Sequence, residues 1–189
     1  IWTTVENNDM IAASMFWVGS EAPINGHQPT YWSSYDGSIP YEARVDSVIN
    51  WLSLPQKERP QFITLYFDEP DGTAHTYGPV SAETDSVVVD LDRIIGNLYD
   101  RIAELPMGKR VNIILVSDHG MGEVSSERVV NLRELVPEGL VEYFTGGNPV
   151  ILIDPVDEYK DSVYSILSKV PHIKIWSAET MPEHYHYGT

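Results

Sequence analysis

The 189 residues suffice for one domain with a sizeable buried core, and 28 acidic against 12 basic side chains give a formal net charge of −16. That field repels a polynucleotide and argues against a nucleic-acid partner, while a small phosphate ester remains open if bound dications reverse the local sign. No cysteine is present, so disulfides and thiolate metal sites are excluded and any metal ligand is His, Asp or Glu.

Residues 1–41 lack sustained periodicity and are dense in Gly, Pro, Ser and aromatics, as in Phe16-Trp17-Val18-Gly19-Ser20 and Pro29-Thr30-Tyr31-Trp32-Ser33, which predicts a loop-rich cap segment. From Tyr41 to Leu52, Val45, Val48, Ile49 and Leu52 recur at spacings of three and four, predicting an amphipathic helix ended by Pro55. Gln61-Phe62-Ile63-Thr64-Leu65-Tyr66-Phe67 is a short run of β-formers that stops at the turn-like Asp68-Glu69-Pro70-Asp71-Gly72. A second helix starts at Ser81 as cap with Glu83 in its first turn. Val87, Val88, Leu91, Ile94, Ile95, Leu98, Ile102 and Leu105 trace its apolar face down to Pro106.

Val111 to Ser117 predicts a second buried strand, ending in Asp118-His119-Gly120-Met121-Gly122. Strand, long helix and strand make a βαβ unit whose ligand edge lies at the strand carboxyl ends. Val150–Ile153 and Ile173–Trp176 predict further strands around a helix from about Glu158 to Lys169. The whole is expected to be one α/β domain, 1–189, with a mostly parallel sheet flanked by helices. No apolar run approaches the ~20 residues that cross a bilayer. The first residues, Ile1 to Val5, contain neither an initiator Met nor an export signal, so the chain is expected to begin in mid-protein. The absence of cysteine and of any Asn-x-Ser/Thr acceptor fits a bacterial source better than an animal ectodomain.

Asp71 and His75 stand four apart just after a strand, a spacing that turns both side chains to one side in a helical coil. Asp118 and His119 sit at a strand-to-loop corner, where both can face one pocket. Each residue alone has a plainer reading, since Asp-Gly is a common turn pair and Asp118 can form an Asx turn. Both clusters nevertheless fall at the same end of strands in one βαβ unit, where ligands bind. Carboxylate oxygen and imidazole nitrogen suit Zn²⁺, with Mn²⁺ or Fe²⁺ as alternatives, and two ions about 4 Å apart would clamp a phosphoryl group.

Leu65 to Pro79, with Asp71-Gly72-Thr73-Ala74-His75, and Asn112 to Met121, with Ser117-Asp118-His119-Gly120, resemble the nucleotide pyrophosphatase/phosphodiesterase family of the alkaline phosphatase superfamily. Ile1-Trp2, Phe16 to Glu21, Pro40 to Arg44 and His184-Tyr185 extend the resemblance over essentially the whole chain. It implies an alkaline-phosphatase-like sandwich, here an incomplete portion, working outside the cytoplasm as a periplasmic or secreted enzyme. It also implies that Asp71 and His75 ligate one Zn²⁺ and Asp118 and His119 the other, in a hydrolase that cleaves nucleotide phosphodiester or pyrophosphate bonds through a phosphothreonine. The threonine, one aspartate and one histidine of that site are expected outside residues 1–189, so that this chain alone would be inactive and carry no catalytic nucleophile. Tyr35 matches a base-stacking aromatic, Trp17 and Tyr66 match other substrate-pocket aromatics, and the implied partner is a small nucleotide. Two departures stand out: Ala74 replaces a glycine, and Glu21 replaces an aspartate, which puts a contact to the adenine amino group in doubt. Competing readings are a choline-lipid phosphodiesterase of the same superfamily and a non-catalytic fragment or pseudoenzyme.

Overall fold

A computed structural model describes residues 1–187, and its chain contacts separate two units, Ile1–Glu123 and Val124–Thr189. The sequence reading treats the chain as one partial domain; each unit is described by itself below.

In the first unit, helix α1 (Trp2–Glu6) leads into strand β1 (Ala12–Met15), followed by β2 (Tyr31–Ser33), helix α2 (Tyr41–Leu52), β3 (Phe62–Leu65), and helices α3 (Asp71–Tyr77) and α4 (Ala82–Glu104). The sheet order is β2-β1-β3, and both pairings are parallel. The middle strand is therefore β1, inside the segment expected to be a loop-rich cap. All four of its residues, Ala12-Ala13-Ser14-Met15, are buried, so the strand shows no period-2 signal. The rest of 1–41 is largely irregular, as expected.

Side-chain alternation along β3 sorts the core into two layers. Phe62 packs toward Trp2, Val5 and Ala12 on the α1 side. Ile63 and Leu65 pack toward Val45, Val48 and Leu52 of α2 and Ile94, Leu98 and Ile102 of α4. Inside the sheet, Thr64 Oγ1 donates to Ser14 Oγ at 3.0 Å, so the two buried hydroxyls opposed in register satisfy one another. Helix α4 begins as its sequence dictates: Ser81 Oγ accepts from Thr84 N, and Glu83 and Asp85 occupy the first turn, at the positive end of the helix dipole.

The strand expected over Val111–Ser117 is not formed: the segment is irregular and pairs with no strand among the described residues. Val111 and Ile113 pack on the α2/α4 cluster, whereas Ile114, Leu115 and Val116 are 84%, 69% and 64% exposed. A parallel strand exists only through its neighbours, and apolar composition alone does not supply one.

The second unit contains α5 (Leu132–Leu135), an antiparallel hairpin of β4 (Val141–Gly147) and β5 (Val150–Pro155), and α6 (Lys160–Leu167). Its core is Val136, Val163 and Leu167. Gly146 is obligatory in the hairpin, since φ is +94° and a Cβ would stand 2.7 Å from the Val150 carbonyl oxygen. The expected strand Ile173–Trp176 is likewise unpaired among the described residues; Ile175 packs on this core and Trp176 meets Tyr185 at a tilt, 5.5 Å between centroids. No helix among the described residues is long and apolar enough to cross a membrane.

Leu98 sits at the centre of the α2/α4 layer, so Leu98→Ala should cost about 3 kcal/mol of stability, while Ser81→Ala should cost about 1 kcal/mol through loss of the cap. Urea unfolding measures both; similar costs for the two would contradict this layering.

Candidate active site

Parallel pairing brings the carboxyl ends of β1, β2 and β3 to one edge of the sheet, and each strand releases an aromatic residue there. Phe16 follows β1, Tyr35 lies two residues beyond β2, and Tyr66 follows β3, its N–H donating to Met15 O at 3.0 Å. Tyr35 meets Phe16 edge-on at 5.3 Å between centroids and Tyr66 at 6.4 Å. Its ring is about half exposed and lies over Gly37, where a Cβ would stand 3.3 Å from the hydroxyl. Tyr35 N donates to Glu21 Oε1 at 2.5 Å, so the acid whose contact to a base was in doubt holds the Tyr35 backbone. Trp17 packs toward Trp2, Val5 and Ala12, and no ring contact joins it to Tyr35 or Tyr66 among the described residues.

Beyond Tyr66 the chain passes Asp68 and Glu69 and enters α3, of which Asp71 is the first residue. Glu69 fixes that first turn by accepting from Thr73 N at 3.0 Å and Thr73 Oγ1 at 2.9 Å. Ala74 is buried in the helix and costs it nothing, because helical φ does not require glycine there. One helical turn brings His75 Nε2 to 3.5 Å from Asp71 Oδ1. From the far end of the 111–117 segment, His119 Nε2 reaches 3.9 Å from that same oxygen and 3.5 Å from Asp118 Oδ2. The structure thus brings Asp71, His75, Asp118 and His119 together, with Asp71 Oδ1 facing both imidazoles.

These spacings exceed hydrogen-bond length, and Asp71 Oδ1 is shielded from solvent with no hydrogen-bond partner. A shielded carboxylate oxygen that faces two ring nitrogens without bonding either is a donor arrangement that a cation would satisfy. His119 carries the same message. Its Nδ1 lies 3.0 Å from Gly120 O, and only a protonated Nδ1 can make that bond, which leaves Nε2 as the lone-pair nitrogen of the neutral ring. Nε2 then points a lone pair at carboxylate oxygens, which favours either a proton or a metal between them. The bond to Gly120 first, and then Asp118, accordingly push the imidazole pKa above its ordinary value. All four side chains are largely solvent-accessible, and among the described residues no three His, Asp or Glu are drawn in to the closeness of a formed metal site.

Tyr66 links the two halves of the site. Burial raises its hydroxyl pKa, and Asp68, Asp118, Tyr35 and Asp71 act in the same direction, so this phenol lies within electrostatic reach of both Tyr35 and the acidic group.

Residues 1–189 match the family model for type I phosphodiesterase / nucleotide pyrophosphatase. The chain belongs to that family. It is 39% identical over 198 aligned positions to a venom phosphodiesterase of Crotalus durissus collilineatus, an alignment covering all of this chain and 24% of the relative. It is 41% identical over 134 residues, 71% of this chain and 14% of the relative, to human ectonucleotide pyrophosphatase/phosphodiesterase family member 1. Its fold superimposes on murine ectonucleotide pyrophosphatase/phosphodiesterase 5, solved in an inactive form in complex with AMP, with a TM-score of 0.88 and 31% identity, covering 99% of this chain and 50% of that one. The chain therefore has part of the alkaline-phosphatase-like α/β fold and spans about a quarter of the length of the venom relative. These relatives are all eukaryotic, so the expected bacterial source has no support.

Neither Arg44 nor Phe16 was singled out in the sequence as a functional residue, yet both stand at the centre of the site. Arg44 NH1 donates to Asp68 Oδ1 at 2.8 Å and to Tyr66 O at 3.1 Å. Burial pushes Asp68 up, but the Arg44 hydrogen bond and charge outweigh it and hold the carboxyl below its usual 3.8. A depressed carboxyl stabilises the fold above its unfolded value and loses that contribution as pH falls through the folded value. Asp68→Asn should therefore be destabilising near neutral pH, and its deficit against the parent should shrink below pH 3.8, as read by denaturant unfolding at about pH 7 and about pH 2. A deficit independent of pH would exclude this ion pair as its source.

Proposed function

We propose that the intact protein is a metal-dependent hydrolase of nucleotide phosphodiester or pyrophosphate bonds, and that this chain supplies its nucleobase platform and four of its metal ligands. The observation that carries the reading is the contact of two unlike groups at one sheet edge: a half-exposed Tyr35 against Tyr66, and beside Tyr66 the acid and imidazole group of Asp71, His75, Asp118 and His119. An aromatic face stacks on any base, and donors of this kind suit Zn²⁺, with Mn²⁺ or Fe²⁺ as alternatives. AMP bound to the murine relative supports a nucleotide as the small-molecule partner.

In this reading Asp71 and His75 hold one Zn²⁺ and Asp118 and His119 the other. When bound, such ions supply Lewis-acid stabilisation of the phosphoryl oxygens. The chain's own residues orient and exclude: Glu21 sets Tyr35, Glu69 sets the turn bearing Asp71, and the Gly120 carbonyl sets the tautomer of His119. The attacking threonine is assigned to a part of the protein outside residues 1–189, by way of a phosphothreonine, so this chain alone should bind zinc weakly and hydrolyse nothing. The venom and ecto-enzyme relatives support a location outside the cytoplasm.

The intact protein should hydrolyse the p-nitrophenyl ester of thymidine 5′-monophosphate far faster than p-nitrophenyl phosphocholine, lose that activity to a chelator, and regain it with Zn²⁺. Asp71→Ala should cut both zinc content and kcat/KM by more than the roughly 10–100-fold that loss of an outer partner of a metal ligand produces. Preference for the choline ester would replace the nucleotide reading with the lipid one; full activity after exhaustive chelation would remove the metal.

A further inference from the structure

Arg44 is completely buried in the first turn of α2, yet among the described residues it is ion-paired with Asp68, whose side chain is 39% exposed. Its Nε donates to Ile39 O at 3.1 Å, its NH1 is shared between Tyr66 O and Asp68, and its NH2 is buried with no hydrogen-bond partner. Replacing a buried ion pair with apolar side chains of similar volume is often neutral or stabilising, so fold stability is a poor account of a cation kept here incompletely satisfied.

What surrounds the guanidinium gives a better one. Its carbon lies 5.1 Å from the Phe16 ring centroid, 4.6 Å from Tyr41 and 6.0 Å from Tyr35. Phe16 is itself held at φ +64°, a left-handed backbone that a bulky residue adopts only when its surroundings impose it. Arg44 therefore touches residues released by all three parallel strands, and at the same time the acid that precedes Asp71. Tyr41, its neighbour on α2, reinforces the same connection: its hydroxyl accepts from Glu69 N at 3.0 Å, and its ring meets Phe67 edge-on at 4.9 Å.

We propose that Arg44 is a positioning residue for nucleoside recognition, a buried cationic hub that fixes the Tyr35 platform relative to the loop carrying Asp68 and Asp71. This rests on the nucleotide reading above and adds to it the residue that converts base stacking into alignment of the phosphoryl group. Without the hub a base can still stack, but the ester is no longer registered on the metal ligands. Misplacement by about 1 Å is enough to cost up to about a hundredfold in rate.

The test uses the intact protein and two p-nitrophenyl esters, that of thymidine 5′-monophosphate and the base-free methyl phosphate. The ratio of their kcat/KM values reports the benefit of the base and cancels any loss of folded enzyme. Arg44→Met should lower that ratio by about tenfold or more, with the base-free ester falling far less, and Arg44→Lys should recover part of it. If Arg44→Met does not fold, Phe16→Leu, which removes the ring beside the guanidinium, carries the same ratio measurement. Equal losses on both esters, or an unchanged ratio, overturn the hub while leaving the nucleotide reading intact. A wild-type ratio near one overturns the nucleotide reading and the hub with it.

Discussion

Everything at the candidate site depends on β1 being paired in parallel on both sides. A parallel strand delivers its carboxyl end to the same edge as its neighbours, so β2-β1-β3 order converts three separated stretches of sequence into adjacent loops at one rim. The strand tolerates this central position because it is built of small residues: Ala12, Ala13 and Ser14 let α1 and α2 approach, and Ser14 answers the Thr64 hydroxyl across the ladder. Larger side chains at these positions would push both layers apart and carry Phe16 and Tyr66 with them.

The helices were legible in the sequence because their signals are local. Helix α2 runs over Tyr41–Leu52 as its apolar spacing predicts, and Ser81 caps α4 with its hydroxyl on the N–H three residues on. Strands depend on partners that sequence does not name. The central strand β1 was invisible because burial on both faces erased its alternation, while Val111–Ser117 has the composition of a buried strand and remains unpaired, with Ile114, Leu115 and Val116 in solvent. The similar runs Gln61–Phe67 and Val111–Ser117 had opposite outcomes: the first forms β3 against β1, and the second has no strand partner among the described residues.

The site divides along the same line. Asp71 and His75 could be associated from their spacing alone, because one turn of α3 brings them together. That His119 would reach the same Asp71 oxygen across 47 intervening positions is a tertiary fact, to which the shared strand-end placement and the motif resemblance pointed without giving the contact. Arg44 was overlooked because an arginine in the first turn of an amphipathic helix has every local reason to lie in solvent. Its burial follows from a pocket made by Phe16, Tyr35 and Tyr41, which no window around residue 44 contains in full.

Under the proposed function, the electrostatics of the rim call for cations. The phosphate of a nucleotide would approach Asp68, Glu69, Asp71 and Asp118 on a chain of net charge −16, and the Tyr66 phenol resists ionisation partly because Asp68, Asp118 and Asp71 lie near it. The Arg44 guanidinium cannot compensate, since it is sealed behind the aromatic rings and engaged with Asp68 and backbone carbonyls. Two dications would contribute +4 at that point, enough to reverse the local sign, and they would find the carboxylate oxygens and imidazole nitrogens already facing one another. In that proposal, an acidic chain repels a polynucleotide over its surface while dications make a single rim receptive to a small phosphate ester.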